Sequence, residues 1–430
     1  MKTRFIFIYC FIALSFNLLA TSKNDFVYVE KGQFKVGNAS YYYIGTNFWY
    51  GAILGSEGEG GDRERLTKEL NFLSRNGICN LRILVGADGE SRTNKVEPAL
   101  QVSPGIYNDT ILAGLDFLLM EMSKRNMRAV LYLNNAWEWS GGYSQYLEWA
   151  GCGKAPVPSV DGWNTFTQYV RQFVVNEKSK NLFRKHIKFM INRTNRYTHT
   201  KYKNDPTIMS WQIANEPRAF SEENKETFAQ WIHETAAYIK KLDKNHLVST
   251  GSEGMAGCEG DIRLWEKIHA DPCIDYANIH IWPNNWGWID KKTPQASVEK
   301  ASENSLEYIE KHCALIQQYQ KPVVLEEFGY PRDNFSFIPG SATTGRDTYY
   351  QTLFNLLYTN SRTQGNFAGC NFWAWGGSGR PSPKQVFWEK GYDYLGDPAQ
   401  EEQGLNSVFD IDATMRVIRQ YTGLLNSHKE

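Results

Sequence analysis

Two short stretches carry carboxylates where buried chain has no structural need of them. Residues 211–218 read WQIANEPR and residues 323–330 read VVLEEFGY. In each, an apolar run ends in glutamate: Glu216 in the first, Glu326 and Glu327 in the second. Burying a charge is costly without a partner, so carboxylates at the ends of two buried strands call for a use. Two facing glutamates suit the cleavage of an acetal: one protonates the leaving oxygen and the other attacks the anomeric carbon. Retention needs the carboxyl groups about 5–5.5 Å apart, inversion about 6.5–9.5 Å. Pro217 has a plain structural role, since it offers no N–H to extend a ladder and so stops the strand.

Whether the two carboxylates meet depends on the elements that carry them. Eight apolar, β-rich runs recur along the chain, at 41–48, 79–85, 128–134, 208–215, 246–250, 276–281, 321–329 and 367–375. Helix-period runs lie between them, at 63–77, 107–126, from 166 onward, 224–243 and 305–319. In the first of these, Leu66, Leu70 and Leu73 share a face and Gly77 marks the stop. Asn108, Asp109 and Thr110 are candidate N-caps of the second. Near-continuously apolar strands separated by helices read as a parallel sheet covered on both faces. Eight such units predict a single (β/α)8 barrel, whose chemistry sits at the C-terminal ends of the strands. The competing fold, an open doubly wound sheet, wants a GxGxxG turn after its first strand; the glycine-rich GTNFWYGAILGSEGEGG lacks it.

In a barrel, the strand ends gather Arg82, Asn134 and Asn135, Asn215 and Glu216, His280 and Trp282, Glu326 and Glu327, and Trp373 and Trp375 at one mouth. Each has an ordinary alternative: Arg82 as a core ion pair, His280 as a satisfied buried imidazole, the tryptophans as packing. Alternation along a strand sends Glu326 and Glu327 to opposite sides, so one of them is expected at the mouth. Trp49, Tyr50, Trp137, Trp139, Trp286 and Trp288 fall on loops above the strands, where they either stack on sugar faces or pack the loops.

Composition agrees with a neutral, ring-faced ligand. Lys plus Arg (47) equals Asp plus Glu (47), so no net charge points to nucleic acid or an anionic membrane surface. Aromatic residues make up 14 % of the chain, which fits either sugar stacking or a large aromatic core. The first residues, MKTRFIFIYCFIALSFNLLATSK, have a basic start, an apolar run and small residues at Ala20 and Ser22, the pattern of a secretory signal over 1–22. Residues 23–430 show no linker and form one catalytic domain. Export permits disulfides, and Cys258 with Cys273 is the expected pair, while Cys79 and Cys370 sit in strand-like runs as buried thiols. No cysteine or histidine spacing suits zinc, so neither metal nor cofactor is expected.

WQIANEPR and VVLEEFGY together resemble the acid/base and nucleophile signatures of glycoside hydrolase family 5. GTNFWYG, NNAWEWSGGYSQYLEW, HIWPNNW, NFWAWGG and YLGDPAQEEQGLNSVFD resemble its β-1,4-mannanase branch, as does Arg218 directly after NEP. The resemblance implies Glu216 as acid/base and Glu327, before Phe328-Gly329, as nucleophile. Arg82 would hold the nucleophile ionised, Asn215 would bond the 2-hydroxyl, and His280 would support Glu216. Substrate contacts would come from Trp49, Asn135, Trp137, Arg218, Trp282 and Trp373, with Trp373 as the floor under the sugar at the cleavage point. The family commonly has Tyr two residues after the strand-6 His, where this chain has Trp282; an indole donates one bond but is no phenol. The implied activity is retaining, endo-type cleavage of β-1,4-mannosidic bonds in mannan, glucomannan or galactomannan. The alternatives are an exo-β-mannosidase on manno-oligosaccharides, an endo-β-1,4-glucanase and a catalytically dead glycan binder. The segment 376–412, rich in Gly, Pro and charge, is expected to wall one end of the groove. A secreted or periplasmic monomer follows from the same reading.

Overall fold

The structure is a computed structural model and describes residues 25–90, 92 and 94–427. The expected signal segment 1–22 lies outside the described residues.

All eight expected strands form: β1 (Tyr43–Asn47), β2 (Asn80–Leu84), β3 (Arg128–Tyr132), β4 (Ile208–Gln212), β5 (Leu247–Ser249), β6 (Ala277–Ile281), β7 (Val323–Phe328) and β8 (Phe367–Phe372). They pair in parallel in the order β5-β4-β3-β2-β1-β8-β7-β6. All but Arg128 are buried residues, which is why the runs are apolar and not alternating. Eight helices surround them: α1 (Arg63–Arg75), α2 (Asp109–Ser123), α3 (Glu177–Asn192), α4 (Lys225–Leu242), α5 (Ile262–Ala270), α6 (Val298–Gln317), α7 (Thr344–Thr363) and α8 (Thr414–Asn426). Asn108 is the N-cap of α2, its Oδ1 accepting from Thr110 N at 3.0 Å. The α7 helix had no counterpart in the sequence pattern.

Between β5 and β6 the barrel closes without a regular ladder. Asp275 N donates to Val248 O at 2.9 Å, and Val248 N returns a bond to Asp275 Oδ2 at 2.6 Å. Above them the Asn278 Oδ1 accepts from Thr250 N (3.0 Å) and Gly251 N (2.9 Å). A side-chain amide thus substitutes for strand backbone and satisfies donors that would otherwise be orphaned. At the N-terminal end of the barrel, an antiparallel element of Val27–Glu30, Gln33–Val36 and Ala39–Ser40 packs Phe34 edge-on against Tyr276, ring centroids 5.2 Å apart.

The opposite end carries the long loops. The β3–α3 connection holds helices Gly142–Ala150 and Trp163–Val170. The β8–α8 connection is pinned by a short pairing of Trp375–Gly377 with Val408–Phe409. The fully buried Arg332 forks onto Asp412 (2.8 and 2.6 Å) beneath it.

The expected Cys258–Cys273 disulfide does not form; both residues are free thiols. The nine-residue α5 helix lies between them in the chain. Cys370 is a buried thiol as expected, while Cys79 is only partly buried.

Candidate active site

Glu327 and Glu216 stand at the C-terminal ends of β7 and β4, on a floor built by Arg82. The Arg82 side chain is completely buried. Its Nη1 donates to Glu327 Oε1 at 2.5 Å and to Asn47 Oδ1 at 3.0 Å. Its Nη2 reaches Asn215 Oδ1 at 2.8 Å, its Nε reaches Gln212 Oε1 at 2.7 Å, and its guanidinium lies over the Tyr132 ring. Four strands therefore converge on one planar cation, which is the use a rigid fork of donors suits.

Glu216 has a left-handed backbone, φ 49°. An L-residue rarely adopts that conformation, and it marks a position where the fold overrides local preference. The peptide of Glu216 is held by Gly251 O at 2.9 Å. Its carboxyl takes a hydrogen bond from the Trp137 indole on Oε2 and meets His280 Nδ1 on Oε1 at 2.9 Å. The same Nδ1 is 3.5 Å from Glu327 Oε2, and facing carboxyl oxygens of the two glutamates lie within 4.8 Å of each other. An oxygen of each carboxyl thus stands close to one imidazole nitrogen.

Burial raises the Glu216 carboxyl above its ordinary range, with the Arg218 cation and the Trp137 bond opposing it. Burial raises Glu327 too, against Arg82, and the neighbouring Glu216 charge pushes it further. Two such groups titrate as a pair. Arg82 touches Glu327 directly, while Glu216 meets the Trp137 indole and His280 and feels the Arg218 cation. His280 is held neutral by its burial and by Arg82. The Glu216, His280 and Glu327 atoms are close enough together to hold an ion, but Arg82 already occupies Glu327 with positive charge.

Glu326 corrects the expectation of strict alternation. The β6–β7 register slips between Ile279 and His280, so that Ile279 pairs with Leu325 and His280 with Glu327. This bulge turns both glutamates inward. Depth separates them instead: Glu326 is fully buried, takes Gln212 Nε2 on Oε2 at 2.6 Å and Tyr276 OH on Oε1 at 3.3 Å, and does not line the cavity. Burial lifts its carboxyl to about 7.

Above the pair lies a cavity of about 540 Å³. Trp137, Asn215, Glu216, Arg218, Trp282, Glu327 and Trp373 line it, as does Trp286. Trp49 and Asn135 do not. Trp49 is 4 % exposed, donates to Gly396 O at 2.9 Å and packs against Trp139 and Tyr394, so its aromatic surface is spent inside the loops. Asn135 is buried behind the wall, where its Oδ1 accepts from Trp137 N (3.0 Å) and Asn215 Nδ2 (3.3 Å). It orients two lining residues without reaching the cavity. Tyr50 is likewise buried, and Trp288 lies against Trp286 outside the lining.

Arg218 is clamped by Glu253, whose Oε2 accepts from both Nε (2.9 Å) and Nη2, and its guanidinium lies 5.3 Å over the Trp137 ring. The segment 397–407 does wall the cavity, contributing Gln400, Glu401, Leu405 and Asn406. Asp397 organises that segment, accepting from Gly404 N (2.9 Å), Asn406 N (2.8 Å) and Ser407 N (3.2 Å). Burial and Asp397 lift Glu401 to about 8. Glu138, another lining carboxyl, is lifted by burial to about 7. Sequence reasoning missed Trp163, Glu138, Glu253 and Glu401. Glu253 follows β5 at the catalytic end and was findable; Glu138 and Glu401 sit in connections whose course no periodicity reports, and Trp163 opens a helix within one of them.

A family model described as GH family 5 β-mannosidase-like matches residues 24–430. The chain belongs to glycoside hydrolase family 5. A mannan endo-1,4-β-mannosidase 7 of Arabidopsis thaliana is 30 % identical over 369 residues, 82 % of this chain and 78 % of its own. A second, of Solanum lycopersicum, is 29 % identical, covering 84 % and 86 %. Among solved structures, a family 5 mannosidase from Rhizomucor miehei superposes with a TM-score of 0.86 at 34 % identity, over 95 % of this chain and 99 % of that one. The family 5 resemblance of the sequence, the barrel and the mannanase branch are therefore established together.

Proposed function

We propose that this family 5 enzyme cleaves β-1,4-mannosidic bonds by double displacement, with Glu216 as acid/base and Glu327 as nucleophile, acting within mannan chains. The observation that carries the reading is the facing of the two carboxyls across His280, with Arg82 on one of them only. A named mannan endo-1,4-β-mannosidase at 30 % identity supports the substrate.

In this reading Glu327, ionised against Arg82, attacks the anomeric carbon while Glu216 gives its proton to the bridging oxygen. The glycosyl-enzyme neutralises Glu327, which removes a negative neighbour from Glu216. Glu216 is then poised as base toward water on the same face, giving retention. Neutral His280 stands between the carboxyls, 2.9 Å from Glu216 and 3.5 Å from Glu327. Trp373 underlies the sugar at the cleavage point, and Trp137, Arg218 and Trp163 hold the leaving side, next to the acid. Asn215 is positioned by Arg82 and Asn135 to meet the sugar 2-hydroxyl. The leader over 1–22 directs export, and 23–430 is one catalytic domain.

One observation favours a second reading. Glu401 and its rigid segment stand beside Trp373, where a chain would continue on the glycone side; a closed end there would restrict cleavage to the terminal sugar. The product profile from mannohexaose, read with the anomeric configuration by proton NMR, tests both. Internal fragments with retained β-configuration are expected. Mannose alone would establish exo action, inverted product would refute the mechanism, and activity confined to carboxymethylcellulose would refute the substrate.

A further inference from the structure

Away from the barrel mouth, three side chains of metal-binding type converge on the outer wall. His233 lies on α4, while Asp271 and Cys273 lie in the turn from α5 into β6. One ligand atom of each lies within 4.8 Å of the other two. His233 Nδ1 is 2.5 Å from Asp271 Oδ2, and Asp271 Oδ1 accepts from Cys273 N at 2.7 Å. Cys273 is a free, partly buried thiol. Lys321 Nζ donates to Asp271 O (2.5 Å) and His269 O (2.7 Å), so the turn is held from below as well.

We propose that His233, Asp271 and Cys273 form a structural site for a zinc ion. The donor set decides the metal: calcium and magnesium want oxygen ligands alone, whereas one imidazole nitrogen, one carboxylate oxygen and one thiolate sulfur suit zinc. Water fills the fourth position on the exposed His233 side. Zinc displaces the Cys273 thiol proton to solvent and takes the place of the direct His233–Asp271 bond. Cys273 packs against the edge of the core and forms no disulfide, which leaves its sulfur available to a metal.

The location gives the site a purpose. Two residues beyond Cys273, Asp275 makes the bonds that close β5 onto β6, and it also pairs with Lys240 of α4 at 2.5 Å. A zinc ion shared by α4 and this turn fastens the barrel where the strand ladder is missing. Binding only to the folded state stabilises it by mass action, and the catalytic mouth is untouched.

The test uses the full chain, stripped with chelator and titrated with zinc chloride and, separately, with cobalt(II) chloride. One zinc per chain is expected, with a rise in thermal midpoint that is lost in His233→Ala and in Cys273→Ser. Cobalt should give a thiolate charge-transfer band and the d–d bands of a tetrahedral ion. The sulfur band also distinguishes this site from Glu216, His280 and Glu327, which offer no thiolate. Mannan hydrolysis by both variants at moderate temperature should match the parent. Absence of tight zinc, a cobalt spectrum without the thiolate band, or equal binding by Cys273→Ser would each overturn the proposal.

Discussion

The floor and the rim of the cavity are built on different principles. Arg82, Glu327 and Asn215 stand in or just beyond strands, are almost wholly buried, and bond one another. Trp137, Arg218 and Glu401 stand on loops and Trp163 opens a short helix of the β3–α3 connection, all outside the barrel strands. A floor residue is therefore coupled to all its neighbours, so its loss should damage chemistry and fold together. A rim residue should change affinity or proton affinity and leave the barrel intact.

Four sets of substitutions test that contrast, from the largest effect to the smallest. Glu327→Gln and Glu216→Gln should cost at least about 10²–10⁴-fold in kcat on mannan, while Glu326→Gln keeps most activity. Near-normal turnover in Glu327→Gln would show that the nucleophile has been chosen wrongly. Arg82→Met removes one partner of a buried pair and should cost about 3–5 kcal/mol of stability along with most activity; an unchanged thermal midpoint would break the distinction between floor and rim.

The rim predictions are smaller and concern pH. The Arg218 cation and the Trp137 N–H both lower the Glu216 proton affinity. Arg218→Met and Trp137→Phe should therefore shift the alkaline limb of kcat/KM to higher pH, because the acid keeps its proton longer, with activity falling about tenfold through lost contacts. A shift to lower pH would refute the assignment of that limb to Glu216. Trp163→Ala should raise KM a few-fold, worth about 1 kcal/mol of ring contact, without moving the pH profile.

Glu326 sharpens the contrast from below. Its carboxyl is lifted from 4.5 to about 7 in the folded chain. The native state then holds a proton that the unfolded chain releases between those values, so stability is full below about 4.5 and is lost as pH rises through about 7. Glu326→Gln should flatten the decline in thermal midpoint over that window; an unaltered slope would place the titration elsewhere.

Much of this was legible in order along the chain. The eight strands could be read because parallel strands covered on both faces must be apolar throughout. The two glutamates proposed as catalytic could be read because a carboxylate ending such a strand has no structural excuse. The α7 helix mixes polar residues into its face, and its packing, not its pattern, defines it. Trp49 and Asn135 show the limit for side chains: both stand near the mouth in sequence order, yet hydrogen bonds to Gly396 O and to Trp137 N turn them away from it.

The sequence by itself determined the barrel and the family and singled out the carboxylates proposed to react, since each rests on residue types at fixed strand ends. Only the tertiary structure decided which neighbours those residues meet. The β7 bulge brought both Glu326 and Glu327 inward, depth left Glu327 and not Glu326 on the cavity, and Trp137 proved to touch Glu216. Cys258 and Cys273 stayed free thiols, the latter beside His233 and Asp271. These outcomes depend on register and loop course, which act between segments distant in the chain and leave no local periodicity to read.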